Sequence, residues 1–266
     1  MIFFDCLKGD AFFVQGNYKA AFDEYFTGAT EYSSSRAACN LAHMYRYGYY
    51  VPKNPYMARK FYHAASFTDD GEAHFNLALM KLRGEGGDVD FDAAVEHMRR
   101  SAVAGCIDAM LYLGMAYTLG FAYDPIEIEC ISRIPFYRVI KRKPSELMLS
   151  GSSCDSYMDD ARYTAIEADE NTALEMFERA SKHKDDTYAS DQIGSAKFMV
   201  GQALIEGFGN DYSPEKGYRI LKEAALENGS REAAAYLLAQ KERALAYGVN
   251  ADSVSFLLDE SKDNIY

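Results

Sequence analysis

Cys39 and His43 stand four residues apart, so in a helical segment a thiol and an imidazole share one face, one turn apart. This is the spacing wanted by a thiolate nucleophile with its base, or by two ligands of a metal ion. No third group is visible in the sequence to orient the imidazole, and a lone half-buried cysteine is more often inert packing. His63, His74, His97 and His183 are scattered, without close metal spacings. The five cysteines, Cys6, Cys39, Cys106, Cys130 and Cys154, form an odd set with no C-x-x-C, which suits free thiols. Gly84 to Gly87 lacks the Lys-Ser/Thr of a phosphate loop and reads as a turn between helices. The carboxylate pairs Asp69-Asp70, Asp159-Asp160 and Asp185-Asp186 are expected in solvated loops. These residues point to no catalytic centre, no metal and no cofactor.

The elements that carry them are set by a repeat. Ala73, Leu77, Ala78 and Gly84 lie at offsets 0, 4, 5 and 11 of a stretch that recurs every 36 residues, at Ala37, Leu41, Ala42 and Gly48 and at Ala109, Leu113, Gly114 and Gly120. A second helix follows 21 residues after the first alanine, at Ala58 and Ala94. A two-helix unit of this length cannot bury its own apolar face, so copies must stack. The expected fold is all-α, a right-handed α-α superhelix of helix-turn-helix repeats with eleven or twelve helices. Ser33-Ser34-Ser35 and Asn54-Pro55 supply helix starts, while Gly48 supplies a stop.

One domain over 1–266 is expected, opening with a divergent helical pair over 1–32 and continuing through repeats over 33–124 and 168–247. An insertion of about 43 residues, roughly 125–167, divides the third repeat. Its matching second helix is placed at Ala173 to Ala180; a competing alignment through Cys130 is cut short by Pro135. The insertion carries the basic run Arg138, Lys141, Arg142 and Lys143, read as a solvated face. A last helix is expected from about Ser230 to Tyr247, with a cap over 250–262.

With 266 residues, 48% of them apolar, the chain can bury a large core. Its formal net charge of −12 argues against the basic face that nucleic acid or an anionic membrane requires. No signal peptide and no membrane span is read, so the expected place is the cytoplasm and the expected state a monomer.

The pattern Ala37-x-x-Asn40-Leu41-Ala42-x-x-Tyr45-x-x-Gly48, followed by Ala58-x-x-Phe61-Tyr62-x-x-Ala65, resembles the Sel-like repeat family, relatives of the tetratricopeptide repeats. Lys81 departs from it, standing where Tyr45 and Tyr117 show the preferred tyrosine. The resemblance implies a non-enzymatic scaffold or adaptor whose concave, first-helix face receives a protein or peptide. The alternative class is a hydrolase whose site the insertion completes.

Offsets 2, 3, 6, 9 and 10 are expected to face the groove. They bring together Cys39, Asn40, His43, Arg46 and Tyr47, then Phe75, Asn76, Leu79, Leu82 and Arg83, then Leu111, Tyr112, Met115 and Leu119. Arg36 precedes the first set. Phe75, Leu79, Tyr112 and Met115 would form an apolar floor. Asn40 and Asn76 would either hold a ligand backbone or serve the repeat itself. Arg36, Arg46, Arg83 and His43 would form a cationic strip for an acidic segment, or else pair with carboxylates of neighbouring helices; both readings stand at this point.

Overall fold

Side-chain caps at helix starts and left-handed glycines at helix ends set the element boundaries in the computed structural model, which describes residues 5–119, 166, 169–183, 190–210 and 212–258. The described residues are all-α, of the helical-repeat solenoid class, with twelve α-helices, three 3-10 segments and no strand among them. They divide into two compact units, the boundary falling between Ala109 and Met110.

The first unit contains α1 (Leu7–Val14), α2 (Tyr18–Thr30), α3 (Ser35–Tyr47), α4 (Pro55–Ala65), α5 (Gly71–Arg83) and α6 (Phe91–Val103). Five of these helices start on one device. Asn17, Ser34, Asn54, Asp70 and Asp90 accept the backbone N–H of Ala20, Ala37, Met57, Ala73 and Ala93 at 3.0–3.3 Å, satisfying a donor that the helix cannot. Gly48 and Gly84 end α3 and α5 at φ 82° and 64°, a conformation that a Cβ resists. Asp70 was expected in a solvated loop; it is instead the cap that starts α5.

Offsets 0, 4 and 5 pack inward as the repeat requires: Ala37, Leu41, Ala42, Ala73, Leu77 and Ala78 are all fully buried. Ala42 shares a cluster with Ala58, Tyr62, Ala65, Ala73 and Leu77, the alanines letting neighbouring helices approach closely. Offset 8 closes each repeat through its backbone. The carbonyls of Tyr45, Lys81, Tyr117 and Leu204 accept the N–H of Asn54, Asp90, Asp169 and Ser213, each the residue that precedes the second helix of its repeat. Lys81, the departure from tyrosine, adds an ion pair to Asp90 at 3.0 Å across the same junction.

The second unit holds α7 (Ile107–Leu119) from Met110 onward, α8 (Glu170–Ser181), α9 (Ser190–Glu206), α10 (Pro214–Asn228), α11 (Arg231–Ala239), α12 (Lys241–Ala246) and a 3-10 segment, Ala251–Leu258. The Asp169 bond to Tyr117 and the closeness of Gly114 to the Phe177 ring identify α8 as the second helix of the third repeat, the alignment through Ala173. The insertion, apart from the buried Ile166, lies outside the described residues, as does the end of the cap beyond Leu258. The single helix expected from Ser230 to Tyr247 is two. Gln240, at φ −111° and ψ 23°, turns the chain between α11 and α12, and Ala244, Val249, Ala251 and Val254 are buried beyond it.

Candidate binding site and a thiol–imidazole–carboxylate cluster

The first unit carries a half-open pocket of about 350 Å³, lined by Asp10, Phe13, Val14, Tyr25, Asn40, His43, Tyr47 and Tyr49. Three helices and one turn build it. The end of α1 contributes Phe13 and Val14, α3 contributes Asn40, His43 and Tyr47 at successive turns of one face, and the chain leaving α3 past Gly48 places Tyr49. Phe13, Tyr18 and Tyr49 form a triangle of rings with centroids 5.1–5.2 Å apart, and His43 stacks on Tyr47 at 6.0 Å. Val14 is 86% exposed and Tyr47 57%, so the apolar rim is open to solvent.

Asp10 organises the polar side of this pocket. Its carboxylate accepts from the Tyr25 hydroxyl at 2.8 Å, the Arg36 guanidinium at 2.8 Å and the Asn40 amide at 3.0 Å. Burial, and then the Asp10 carboxylate, push the Tyr25 hydroxyl pKa well up, so it remains a donor. Sequence reasoning missed Asp10, Phe13, Val14, Tyr25 and Tyr49. The first four lie in the divergent pair ahead of the repeats and Tyr49 in the turn after α3, and no periodicity ties them to the groove face of α3.

Of the two readings left open for the cations, the structure has internal pairing. Arg36 meets Asp10; His43 Nε2 lies 2.9 Å from Glu72; Arg83 lies 3.6 Å from Glu85. Arg46 is buried and makes a two-bond contact with Glu85 at 3.1 and 3.2 Å and a third bond to the Asn76 oxygen at 3.0 Å. The expected cationic strip is therefore a charge-balanced ribbon, because Glu72, in the first turn of α5, and Glu85, just past its end, lie outside the offsets counted as groove-facing. Asn76 is likewise structural in position: buried, it also donates to the Glu72 carbonyl at 3.0 Å.

The groove-facing offsets also need correction at Cys39, Leu79, Leu82, Leu111 and Met115, which are buried. Offsets 2 and 9 are seven residues apart and so lie along one stripe of a helix. In α3 that stripe turns Cys39 into the cluster containing Ala73 and Leu77, and Arg46 onto Asn76. Phe75 is half-buried and Leu79 is buried in α5. Tyr112, half-buried, and Met115, buried, belong to the second unit. The side chain of Leu119 lies outside the described set.

The third group absent from the sequence pattern of Cys39 and His43 is Glu72, from the first turn of α5. One ligand-capable atom each from Cys39, His43 and Glu72 falls within 4.8 Å of the others. The His43 contact lowers the Glu72 pKa, against the effect of burial. Burial raises the Cys39 thiol strongly, and the charges of Glu72 and Asp70 add to this, so the free thiol is the protonated form and no activated nucleophile.

A second cluster, also invisible at 23 residues' separation, joins His74 and His97, whose Nδ1 atoms lie 2.9 Å apart. Burial lowers both pKa values; for His97, pushed down to about 4, the His74, Lys81 and Arg100 charges add to it, and for His74 Arg100 adds while Asp69 opposes. The folded state thus resists protons that the unfolded chain binds below its ordinary histidine pKa of about 6.5. Stability from this pair is expected in full above pH ~6.5 and to be lost as pH falls toward about 4. Urea melts of wild type and His97→Gln at pH 7.5, 6 and 5 check it. The variant should lose less stability on acidification, and equal losses would contradict the assignment.

A family profile described as Sel1 repeat matches residues 35–66, 71–106, 160–185 and 194–229. The 160–185 match contains α8, in agreement with its contacts. No curated protein matches the chain in sequence. Among solved structures, a Sel1 repeat protein from Oxalobacter formigenes is similar with a TM-score of 0.61 and 18% identity, over 94% of this chain and 85% of that one. A protective antigen of uropathogenic Escherichia coli strains displaying an SLR fold aligns with a TM-score of 0.43 and 22% identity, over 87% of this chain and 45% of that one.

Proposed function

Because the chain belongs to the Sel1-repeat family, whose members generally mediate protein–protein interactions, we propose that it is a non-catalytic scaffold or adaptor that receives a segment of a protein partner in the aromatic pocket of the first unit. The observation that carries this reading is the open, ring-lined pocket. Phe13, Val14, Tyr47 and Tyr49 offer apolar surface to solvent, with Asp10, Asn40 and His43 along one side. A cavity of about 350 Å³ takes one large apolar side chain of a bound segment, and exposed aromatic rings supply contact area at low entropic cost.

The charge pairing changes the ligand from the one the arginines first suggest. With Arg36, Arg46 and Arg83 held by carboxylates, an acidic segment gains little from them, and the anchor is apolar. The net charge of −12 disfavours nucleic acid as the partner. Among the described residues no helix is long and apolar enough to cross a membrane. Cys6, Cys39 and Cys106 are free thiols, which fits action in the cytoplasm, and we take the working unit to be a monomer.

The test is to capture partners from the native host with the full chain, map the bound segment and measure its affinity as a synthetic peptide. Val14→Glu and Tyr47→Ala are expected to weaken binding at least about tenfold, as loss of a central contact does. Arg83→Glu, whose side chain does not line the pocket, should change it little. Affinity unchanged in Val14→Glu and Tyr47→Ala, with helicity intact, would overturn the pocket as the binding site.

A further inference from the structure

The Cys39, His43 and Glu72 cluster has the composition and spacing of a three-ligand metal site, and we propose that it binds one divalent ion of the zinc class through thiolate, imidazole and carboxylate. This goes beyond the partner-binding reading and stands independently of it. Thiol, imidazole and carboxylate are the side chains that zinc takes, commonly with an open fourth position when only three protein ligands are present.

The ligand atoms lie close to the separations that an ion requires. Bond lengths of about 2.0–2.3 Å put the ligand atoms of a tetrahedron about 3.3–3.8 Å apart. His43 Nε2 lies 2.9 Å from a Glu72 oxygen, and the ligand atoms of Cys39, His43 and Glu72 all fall within 4.8 Å of one another. Small side-chain rotations therefore replace the His43–Glu72 contact by two metal bonds.

The ligands come from packed elements. Cys39 and His43 lie one turn apart on α3, and Glu72 follows the Asp70 cap that fixes where α5 begins. The imidazole is held between Tyr47, stacked at 6.0 Å, and Tyr62, perpendicular to it at 5.3 Å, which sets its orientation before any ion arrives. Access is asymmetric. Cys39 is 2% exposed, too enclosed for attack on a substrate, whereas the His43 and Glu72 side chains are 27% and 65% exposed. An ion can enter from their side and keep water or a partner's ligand on its outer face. Coordination takes the thiol proton, which leaves to solvent, and the bound thiolate and carboxylate then balance the two charges of the ion.

The test uses the reduced, metal-stripped full chain with Co²⁺ as a spectroscopic probe, followed by displacement with Zn²⁺. One equivalent of Co²⁺ is expected to give a thiolate-to-cobalt charge-transfer band, with one proton released per ion. Cys39→Ser should abolish the band, and Glu72→Gln, an exposed and nearly isosteric change, should weaken Zn²⁺ binding at least about tenfold. Absence of the band in wild type, its persistence in Cys39→Ser, or equal Zn²⁺ affinity in wild type and Glu72→Gln would each overturn the site. Should Cys39→Ser fail to fold, Glu72→Gln and the proton count decide.

Discussion

Replacing Gly217 with alanine is expected to destabilise the second unit, although the same change in an isolated helix would stabilise it by about 1 kcal/mol. The cause lies in the α9–α10 contact. A Cβ at Gly217 would sit 2.6 Å from the Gly201 carbonyl oxygen and 2.7 Å from Ile205 Cγ1, and a Cβ at Gly201 would sit 2.8 Å from Leu221 Cγ. The two glycines let the helices meet backbone to backbone, so neither neighbour is a flexible tip that can step aside. Overpacking of this kind costs about 1–3 kcal/mol, which outweighs the propensity gain. Gly217→Leu, with more atoms to place, should cost more and unfold the unit at 37 °C. Glu223→Ala, at an exposed position of α10, serves as control and should stay within about 0.5 kcal/mol of wild type. Chemical denaturation of the three variants measures all of this, and Gly217→Ala with undiminished stability would refute the close-contact account.

Truncating Arg46 is expected to cost about 2–4 kcal/mol, near the lower part of the range for breaking buried pairs because Glu85 is partly exposed. Burial opposes the charge on this guanidinium, yet the two Glu85 hydrogen bonds outweigh it and hold its pKa above the ordinary value. Removing the side chain leaves Glu85 without its two-bond partner and takes away the donor to the Asn76 oxygen. A double-mutant cycle with Arg46→Ala and Glu85→Ala should give a coupling well above that of the exposed Arg100–Glu96 pair one turn apart on α6, where about 0.3–0.5 kcal/mol is expected. Equal coupling in the two cycles would reduce Arg46 to an ordinary surface ion pair.

What the sequence determined by itself was the inward-packing part of the repeat. Offsets 0, 4, 5 and 11 specify small and apolar residues at fixed helical phase, so the buried faces of α3 and α5 and the stops at Gly48 and Gly84 were legible from spacing alone. Even the displaced second helix of the third repeat was found, since Ala173 to Ala180 keeps the pattern across the insertion. The split at Gln240 was not, because no Gly or Pro marks it.

The candidate site was legible only on one side. Asn40, His43 and Tyr47 come from the repeat, but Asp10, Phe13, Val14 and Tyr49 reach the pocket from a divergent first pair and a turn. Charge pairing escaped for the same reason: Glu72 and Glu85 lie outside the offsets that helical phase assigns to the groove, and meet His43 and Arg46 only when α5 packs beside α3. Periodicity states which face of one helix turns inward. Which carboxylate faces which base, across 29 or 39 residues, is decided by packing between helices, and that gives the first unit its neutral aromatic pocket and its three-ligand cluster.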